Sequence, residues 1–225
     1  SFSQHKNSIQ GLAVVGWHHI TNRSNRVERL QHLLKNTLND LCQDDLPIAV
    51  LTTMSTLQIL DAARLGVNVI GSGLPTLWTK SKKAFVCNLQ GWGKQPQQQQ
   101  EEGNANSHKR LKKDNATSMT LDEDGCIDMH DTCWVREREV LLPGCTCVAC
   151  QGGKHSKAYI HHLVQAKEIL AEILLFGHNL HHLLQLCQEL SNASAQGQDK
   201  LNEFCDFVES QLVSLKASNS IVEHS

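Results

Sequence analysis

The sequence predicts an α/β protein whose first part holds a parallel sheet, followed by a cysteine-rich segment and an all-helical C-terminal third. Three observations lead to this prediction. Short apolar runs alternate with amphipathic stretches over residues 11–70, three cysteines fall within 145–150, and apolar residues recur at helical spacing after residue 156. Strands alternating with helices through short connections are typical of a parallel sheet with right-handed crossovers.

The first strand and helix are predicted at Gly11–Trp17 and Arg26–Leu41. The run GLAVVGW is short, apolar and bounded by glycine, which is typical of a strand buried on both faces. The apolar residues of 26–41 stand three or four positions apart, with the charged residues between them. This pattern predicts a helix with one buried face.

Two more strands are predicted at Ile48–Leu51 and Val67–Ile70, with a helix between them. Ser55 is expected to cap this helix at its start, and Gly66 to end it. The third strand leads into a loop predicted over 71–76. Three strands cannot close a (β/α)8 barrel, which usually takes about 250 residues. The sheet is therefore either open or part of a larger one.

The net charge and the lengths of the apolar runs exclude some classes of protein. A net charge of −2 argues against a protein that coats nucleic acid by bulk electrostatics. No run approaches the roughly 20 apolar residues of a membrane span, and SFSQHKNSIQ lacks the apolar region of a signal peptide, so a cytoplasmic location is expected.

A glutamine-rich and then almost entirely polar stretch predicts a disordered insertion at 94–118. It separates a strand-and-helix part, 1–93, from a cysteine-containing and helical part, 119–225. The basic piece at 108–113 is typical of a solvated loop, with a nuclear address or an RNA contact as the alternatives.

The strongest chemical signal is the C-x-C-x-x-C cluster of Cys145, Cys147 and Cys150, directly after a Pro-Gly turn. Three crowded thiolates repel one another unless a cation lies between them, and Zn²⁺ bound by three cysteines and one histidine is the commonest solution. Local spacing favours His155 as the fourth ligand but does not decide the choice. The other candidates are His161, His162, His178, His181 and His182.

Residues 144–182 resemble the C-terminal zinc region of the tRNA-guanine transglycosylases, most of all the accessory-subunit branch of that family. The shared elements are the C-x-C-x-x-C cluster, the A-Y-I-H-H helix start, the E-I-L turn and a later H-N pair. The resemblance implies that zinc is held by Cys145, Cys147, Cys150 and His178. It leaves His155, His161 and His162 as helix-surface or interface residues, and this chain has about two extra residues in Gly152–Lys154.

The weaker resemblance of residues 11–86 implies that the three strands are the last strands of a TIM-like (β/α)8 barrel, with the zinc subdomain and the helices added after them. In catalytic members an aspartate attacks the ribose. The matching position here is Gly71, before Pro75 and Thr76, and the arginine that follows in those members is replaced by Leu77. A neighbouring acidic position, after the strand at 11–16, holds Trp17.

The resemblance therefore implies a non-catalytic subunit that pairs with a catalytic subunit as a heterodimer and binds tRNA. The complex would exchange guanine for queuine at the wobble position of GUN-anticodon tRNAs, and the zinc would be structural. An active transglycosylase, a free-standing zinc and RNA-binding module, and a homodimer remain alternatives. The partner surface is expected around Tyr159, His161 and His162, and family membership also implies association with the outer mitochondrial membrane.

Three further groups of polar residues are not assigned to a functional site. His18 and His19 follow a strand but have no catalytic partner nearby in sequence. The acidic residue Asp61 and those at 122–131 do not follow a strand of the sheet and are interpreted as solvated charges. A second metal site formed by Cys126, His130 and Cys133 is an unfavoured alternative.

Overall fold

The computed structural model describes residues 10–41, 46–89, 92 and 122–217, and confirms a parallel sheet flanked by helices. The strands lie in the order β1-β2-β3, and both pairings are parallel. The elements of this part are β1 (Leu12–Val14), α1 (Arg23–Leu41), β2 (Ile48–Thr53), α2 (Thr56–Arg64), β3 (Val69–Ser72) and α3 (Leu74–Lys80).

The second part is built on a short antiparallel pair and three helices. Its elements are β4 (Lys83–Phe85), β5 (Cys126–Asp128), α4 (Lys157–Gln165), α5 (Ile169–Ala195) and α6 (Gln198–Ala217). The pairing of β4 with β5 joins the chain before and after 94–118. That predicted insertion and its basic piece lie outside the described residues.

The expectation that the first strand is buried on both faces is wrong, since Leu12 and Val14 are half-buried and Ala13 is exposed. The two faces of the sheet differ. One face packs against α1 and α2 in an apolar core that includes Leu30, Val50 and Ala62. The other face leaves Leu51 and Val69 more than half exposed. Over the described ranges the sheet has three strands and does not close into a barrel, so β1 and β3 are edges.

The helix signals around the second strand are confirmed, but the loop expected at 71–76 is not. The Ser55 side chain accepts a hydrogen bond from Gln58 N, and Gly66 takes a left-handed φ of 80°. Beyond them, β3 continues through Ser72 and α3 begins at Leu74. Pro75 favours this early start, because proline suits the first turn of a helix.

The helical region predicted after residue 156 is confirmed and consists of α4, α5 and α6. Helix α4 ends at Gln165 and α5 begins at Ile169, and between them Lys167 takes a left-handed φ of 57°. Gly177 lies within a continuous α5. A Cβ at Gly177 would lie 2.8 Å from Val148 Cγ1, so this glycine lets the cysteine loop approach the helix.

The acidic residues expected to be solvated include two that are not. Asp61 is 3% exposed and accepts hydrogen bonds from Arg23 and from the buried Arg26. Asp124 accepts from Thr56 N at 2.9 Å and from Trp78 Nε1 at 3.3 Å, and burial raises the pKa of its carboxyl. Asp61 therefore ties α1 to α2, and Asp124 fastens the segment before β5 to α2 and α3.

We expect Asp61→Ala to destabilise the chain by about 3 kcal/mol, because it leaves the buried Arg26 guanidinium without its carboxylate. Urea unfolding followed by circular dichroism measures the change. Glu203→Ala is the matched control, since Glu203 pairs with Lys200 on the surface and its loss costs at most about 1 kcal/mol. Equal midpoints for the two variants would contradict the structural role given to Asp61.

Candidate metal centre

The cysteine cluster sits in a loop whose turns gather the three sulfur atoms. Gly144 takes a φ of 81°, which favours glycine, and directs the chain into the cluster. Cys145 N donates to Leu142 O, and Cys150 N donates to Cys147 O. All three cysteines are buried in the apolar core that surrounds the loop.

His178, on α5, supplies a fourth ligand atom to this cluster. Its Nδ1 lies 3.9, 3.3 and 3.5 Å from the Sγ atoms of Cys145, Cys147 and Cys150. The four ligand atoms all lie within 4.8 Å of one another. Zinc bonds of about 2.3 Å to sulfur and about 2.0 Å to nitrogen place tetrahedral ligand atoms roughly 3.6 Å apart. The four residues thus form a buried group that fits a zinc ion.

The orientation of the His178 ring is set by β4. Its Nε2 donates to Phe85 O at 2.8 Å, which leaves Nδ1 free to face the sulfur atoms. The neighbouring Asn179 accepts from Phe85 N at 2.9 Å and donates to Lys83 O at 2.9 Å. The H-N pair therefore binds the backbone of β4 while it positions the fourth ligand.

Electrostatics within the group favour a cation. Hydrogen bonds from Cys145 and Cys150 lower the pKa of Cys147, whereas hydrogen bonds with Cys145 and Cys147 raise the pKa of Cys150. Burial would lower the pKa of His178, but the neighbouring thiols raise it to about 9. Three thiolates this close cannot ionise together unless positive charge compensates them.

His182 is a neighbour of the group that sequence reasoning did not separate from the other histidines. It lies one turn after His178, is 2% exposed, and places Nε2 3.2 Å from Cys145 Sγ. Burial, followed by the charges of His178 and His181, lowers its pKa to about 3. In the sequence, the only indication that His182 lies on the same side of the helix as His178 is that the two residues are four positions apart.

The remaining candidate ligands lie elsewhere. The ring of His155 stacks on Tyr159, with centroids 5.5 Å apart, and does not join the ligand group. His161 is 6% exposed, and its Nδ1 lies 2.8 Å from Met129 O, so the expectation that it is a surface residue is wrong. His162 is exposed as expected.

No second metal group is found within the described parts of the chain. Cys126 lies in β5, its burial raises the pKa of its thiol, and it does not converge with His130 and Cys133. His18 and His19 contact each other, with ring centroids 3.9 Å apart, in a short 3-10 helix after β1.

Gly71 lies in β3 beside Leu51 of β2, where the register of the two strands shifts. A Cβ at this position would stand 2.4 Å from Leu51 O and 2.9 Å from the Leu51 carbonyl carbon. Real Cβ atoms essentially never come within 3.0 Å of such atoms, and a backbone carbonyl in a sheet cannot turn aside as a flexible side chain can. Position 71 therefore has no room for any side chain.

Comparison with known proteins finds a matching family model and several similar curated proteins. The family model described as queuine tRNA-ribosyltransferase (TGT) matches residues 3–212. A protein of Culex quinquefasciatus named queuine tRNA-ribosyltransferase accessory subunit 2 is 24% identical over 97% of this chain and 44% of its own length. A protein of the same name from Anopheles gambiae is 49% identical over 26% of this chain and 13% of its own length. Another from Drosophila mojavensis is 37% identical over 42% of this chain and 22% of its own length.

The chain spans less than half the length of these curated relatives. Among the helices of the described residues, none is both long and apolar enough to cross a bilayer.

Proposed function

Because the chain belongs to the queuine tRNA-ribosyltransferase family, we propose that it is the non-catalytic accessory subunit of a heterodimer that exchanges guanine for queuine at the wobble position of GUN-anticodon tRNAs. Its relatives from mosquitoes and flies are named accessory subunit 2. The observation that carries the proposal is the structure around Gly71, which speaks against the alternative of an active transglycosylase.

Gly71 matches the position of the nucleophilic aspartate in catalytic family members. Glycine offers no nucleophile, and the nearby Leu51 carbonyl excludes any side chain at that position. Trp17 stands where those members carry an acid; it is buried and donates its indole N–H to Arg26 O at 2.9 Å. On this proposal, position 71 lacks a nucleophile and has no space for the side chain of one.

We propose that β1 to β3 are the last strands of a TIM-like (β/α)8 barrel. The exposed apolar residues Leu51 and Val69 on the sheet, and Val15 just beyond β1, would be covered by the remaining strands. The unpaired edges of β1 and β3 would then be satisfied by neighbouring strands. A barrel completed outside this chain is consistent with the greater length of the relatives.

We propose that the metal is one structural Zn²⁺, bound by Cys145, Cys147, Cys150 and His178. Four protein ligands leave no position for a substrate or for water, as in closed structural sites. The ion would hold the cysteine loop against α5, where Val148 contacts the helix at Gly177. Zinc would act on tRNA modification only through the shape of this surface.

The partner surface is proposed along one side of α5. Five large apolar residues, which we call the α5 stripe, project from this helix and are 37–74% exposed: Ile169, Ile173, Phe176, Leu180 and Leu184. A groove of about 570 Å³ beside the stripe is lined by α3 and by Val148. The spacing of three and four residues places the stripe on one face of the helix.

A helix face this apolar is unusual in a chain without a partner. The proposed occupant is the catalytic subunit, because the relatives are named as accessory subunits of a queuine tRNA-ribosyltransferase. The stripe replaces the surface expected around Tyr159, His161 and His162, since His161 is buried. Tyr159 and His162 remain accessible on α4 and would lie at the rim.

Phe176→Asp is expected to abolish pairing with a catalytic family member, because it places a carboxylate at the centre of the α5 stripe. Size-exclusion chromatography of the mixed proteins measures the pairing. Gln188→Glu, an exposed change on the same helix beyond the stripe, should leave pairing intact. A Phe176→Asp chain that still co-elutes with the catalytic member would remove the stripe from the interface.

On the resemblance alone, we also propose a cytoplasmic location with peripheral association at the outer mitochondrial membrane. Cell fractionation with an antibody to the chain tests this part independently. Recovery from the nuclear fraction alone would contradict it.

A further inference from the structure

A second buried histidine, His182, contacts the cysteine cluster without belonging to the group of four ligands. Its Nε2 lies 3.2 Å from Cys145 Sγ, within the range of an N–H to sulfur hydrogen bond. The ligand group of three cysteines and His178 forms without it. His182 therefore approaches one sulfur atom from outside the group.

We propose that His182 donates its Nε2–H to the Cys145 thiolate and so retains zinc in the site, as a positioning residue rather than as a ligand. Zn²⁺ with three thiolates and a neutral imidazole carries a net charge of −1. Such a charge in a buried site needs hydrogen-bond donors around its sulfur atoms. Cys145 Sγ has two: Cys147 N, at 3.4 Å, and His182 Nε2.

The tautomer of His182 supports the donor role. Its Nδ1 is buried and has no hydrogen-bond partner among the described residues. A proton on Nδ1 would be buried without an acceptor, whereas a proton on Nε2 points at a sulfur atom. The ring therefore carries a proton on the side of Cys145.

The ring is held in place by its neighbours. The His178 ring lies 4.5 Å from it and the Phe85 ring 6.2 Å, measured between centroids. The donor and the fourth ligand are thus placed by the same turn of α5. Loss of the N–H should weaken retention of the metal while the four ligands remain.

The test compares His182→Phe, which keeps a ring but removes the donor, with His182→Gln, whose side-chain amide nitrogen can replace Nε2. The readout is the rate at which zinc passes to the chelator 4-(2-pyridylazo)resorcinol. We expect His182→Phe to release zinc about 10-fold faster than the unsubstituted chain. His182→Gln should release it close to the original rate, and His162→Leu, at an exposed histidine on α4, is the control.

Cobalt-substituted protein separates a donor from a ligand. His182→Phe should keep the tetrahedral absorption of a site with three sulfur atoms and one nitrogen. Loss of that spectrum would make His182 a ligand and overturn the proposal, as would an unchanged release rate in His182→Phe. A His182→Gln release rate equal to that of His182→Phe would show that packing, rather than the N–H, retains zinc.

His182→Leu provides a second variant without a donor if the phenylalanine ring does not fit. The inference rests on the proposed zinc site and not on the proposed tRNA complex. Zinc content of the unsubstituted chain is measured first. Less than one zinc per chain would overturn the metal centre together with the role of His182, whereas normal zinc with altered pairing would concern the proposed function alone.

Discussion

A His178→Ala chain is expected to lose the proposed zinc ion and to melt more than about 10 °C lower than the unsubstituted chain. The substitution removes one of four ligands and also the donor to Phe85 O on β4. Structural zinc contributes roughly 10–16 kcal/mol of apparent binding free energy in small domains. Loss of even about 5 kcal/mol of this would lower the melting temperature of a chain this size by about 10–20 °C.

Two variants separate metal binding from the other contacts of His178. Asn179→Ala breaks the hydrogen bonds to Phe85 N and Lys83 O but keeps all four ligands, so it should retain one zinc per chain. His155→Ala should also retain zinc. Elemental analysis after dialysis against a weak chelator measures the content. Zinc retained by His178→Ala and lost from His155→Ala would show that local spacing had identified the true ligand.

Gly71→Asp is expected to destabilise the sheet strongly and to restore no base exchange. Its Cβ would meet Leu51 O at 2.4 Å, and both atoms belong to paired strands. Overpacking in a core costs about 1–3 kcal/mol even where side chains can adjust. Here the neighbour is backbone, so we expect the upper end of this range or more.

The control for this prediction lies two residues further along the chain. A Cβ at Gly73 would meet nothing within 4 Å, and Gly73 is the N-cap of α3 with an ordinary φ of −96°. Gly73→Asp places a favoured residue at an N-cap and should change stability by less than about 0.5 kcal/mol. Urea unfolding compares the two. A stable Gly71→Asp chain with base-exchange activity would show that only the missing carboxylate separates this chain from an enzyme.

Features of this structure that depend on neighbours in sequence could be predicted from the sequence. The parallel order of the strands, the Ser55 cap and the glycine at the end of α2 follow from short-range patterns. The three cysteines are equally clear in the sequence, because thiolates crowded within one loop repel one another unless a metal ion binds them. Local turns are sufficient to bring their sulfur atoms together.

Features that depend on distant parts of the chain could not be derived from spacing. Local spacing favoured His155, whereas the ligand group contains His178, which is positioned by β4 and α5. Each strand of the β4–β5 pair is too short, at three residues, to show a period. The burial of His161 and the exposure of Phe176 depend on which helix faces pack together, and helical periodicity alone does not determine that.

The division between α4 and α5 at Lys167 could not be predicted either, because a lysine in the sequence does not indicate a left-handed φ. The resemblance to tRNA-guanine transglycosylases indicated His178 where spacing had left six histidines open. It did not reveal His182 as a neighbour of Cys145, because that contact depends on the packing of this particular helix.

Base exchange measured with labelled guanine and a GUN-anticodon tRNA distinguishes a non-catalytic subunit from an enzyme. This chain is assayed alone, then with a catalytic family member, and finally as the Phe176→Asp variant with the same member. We predict no exchange by the chain alone and exchange in the mixture above that of the catalytic member by itself, with the gain lost in Phe176→Asp. Exchange by this chain alone would contradict the account, because it would require a nucleophile at a position other than Gly71.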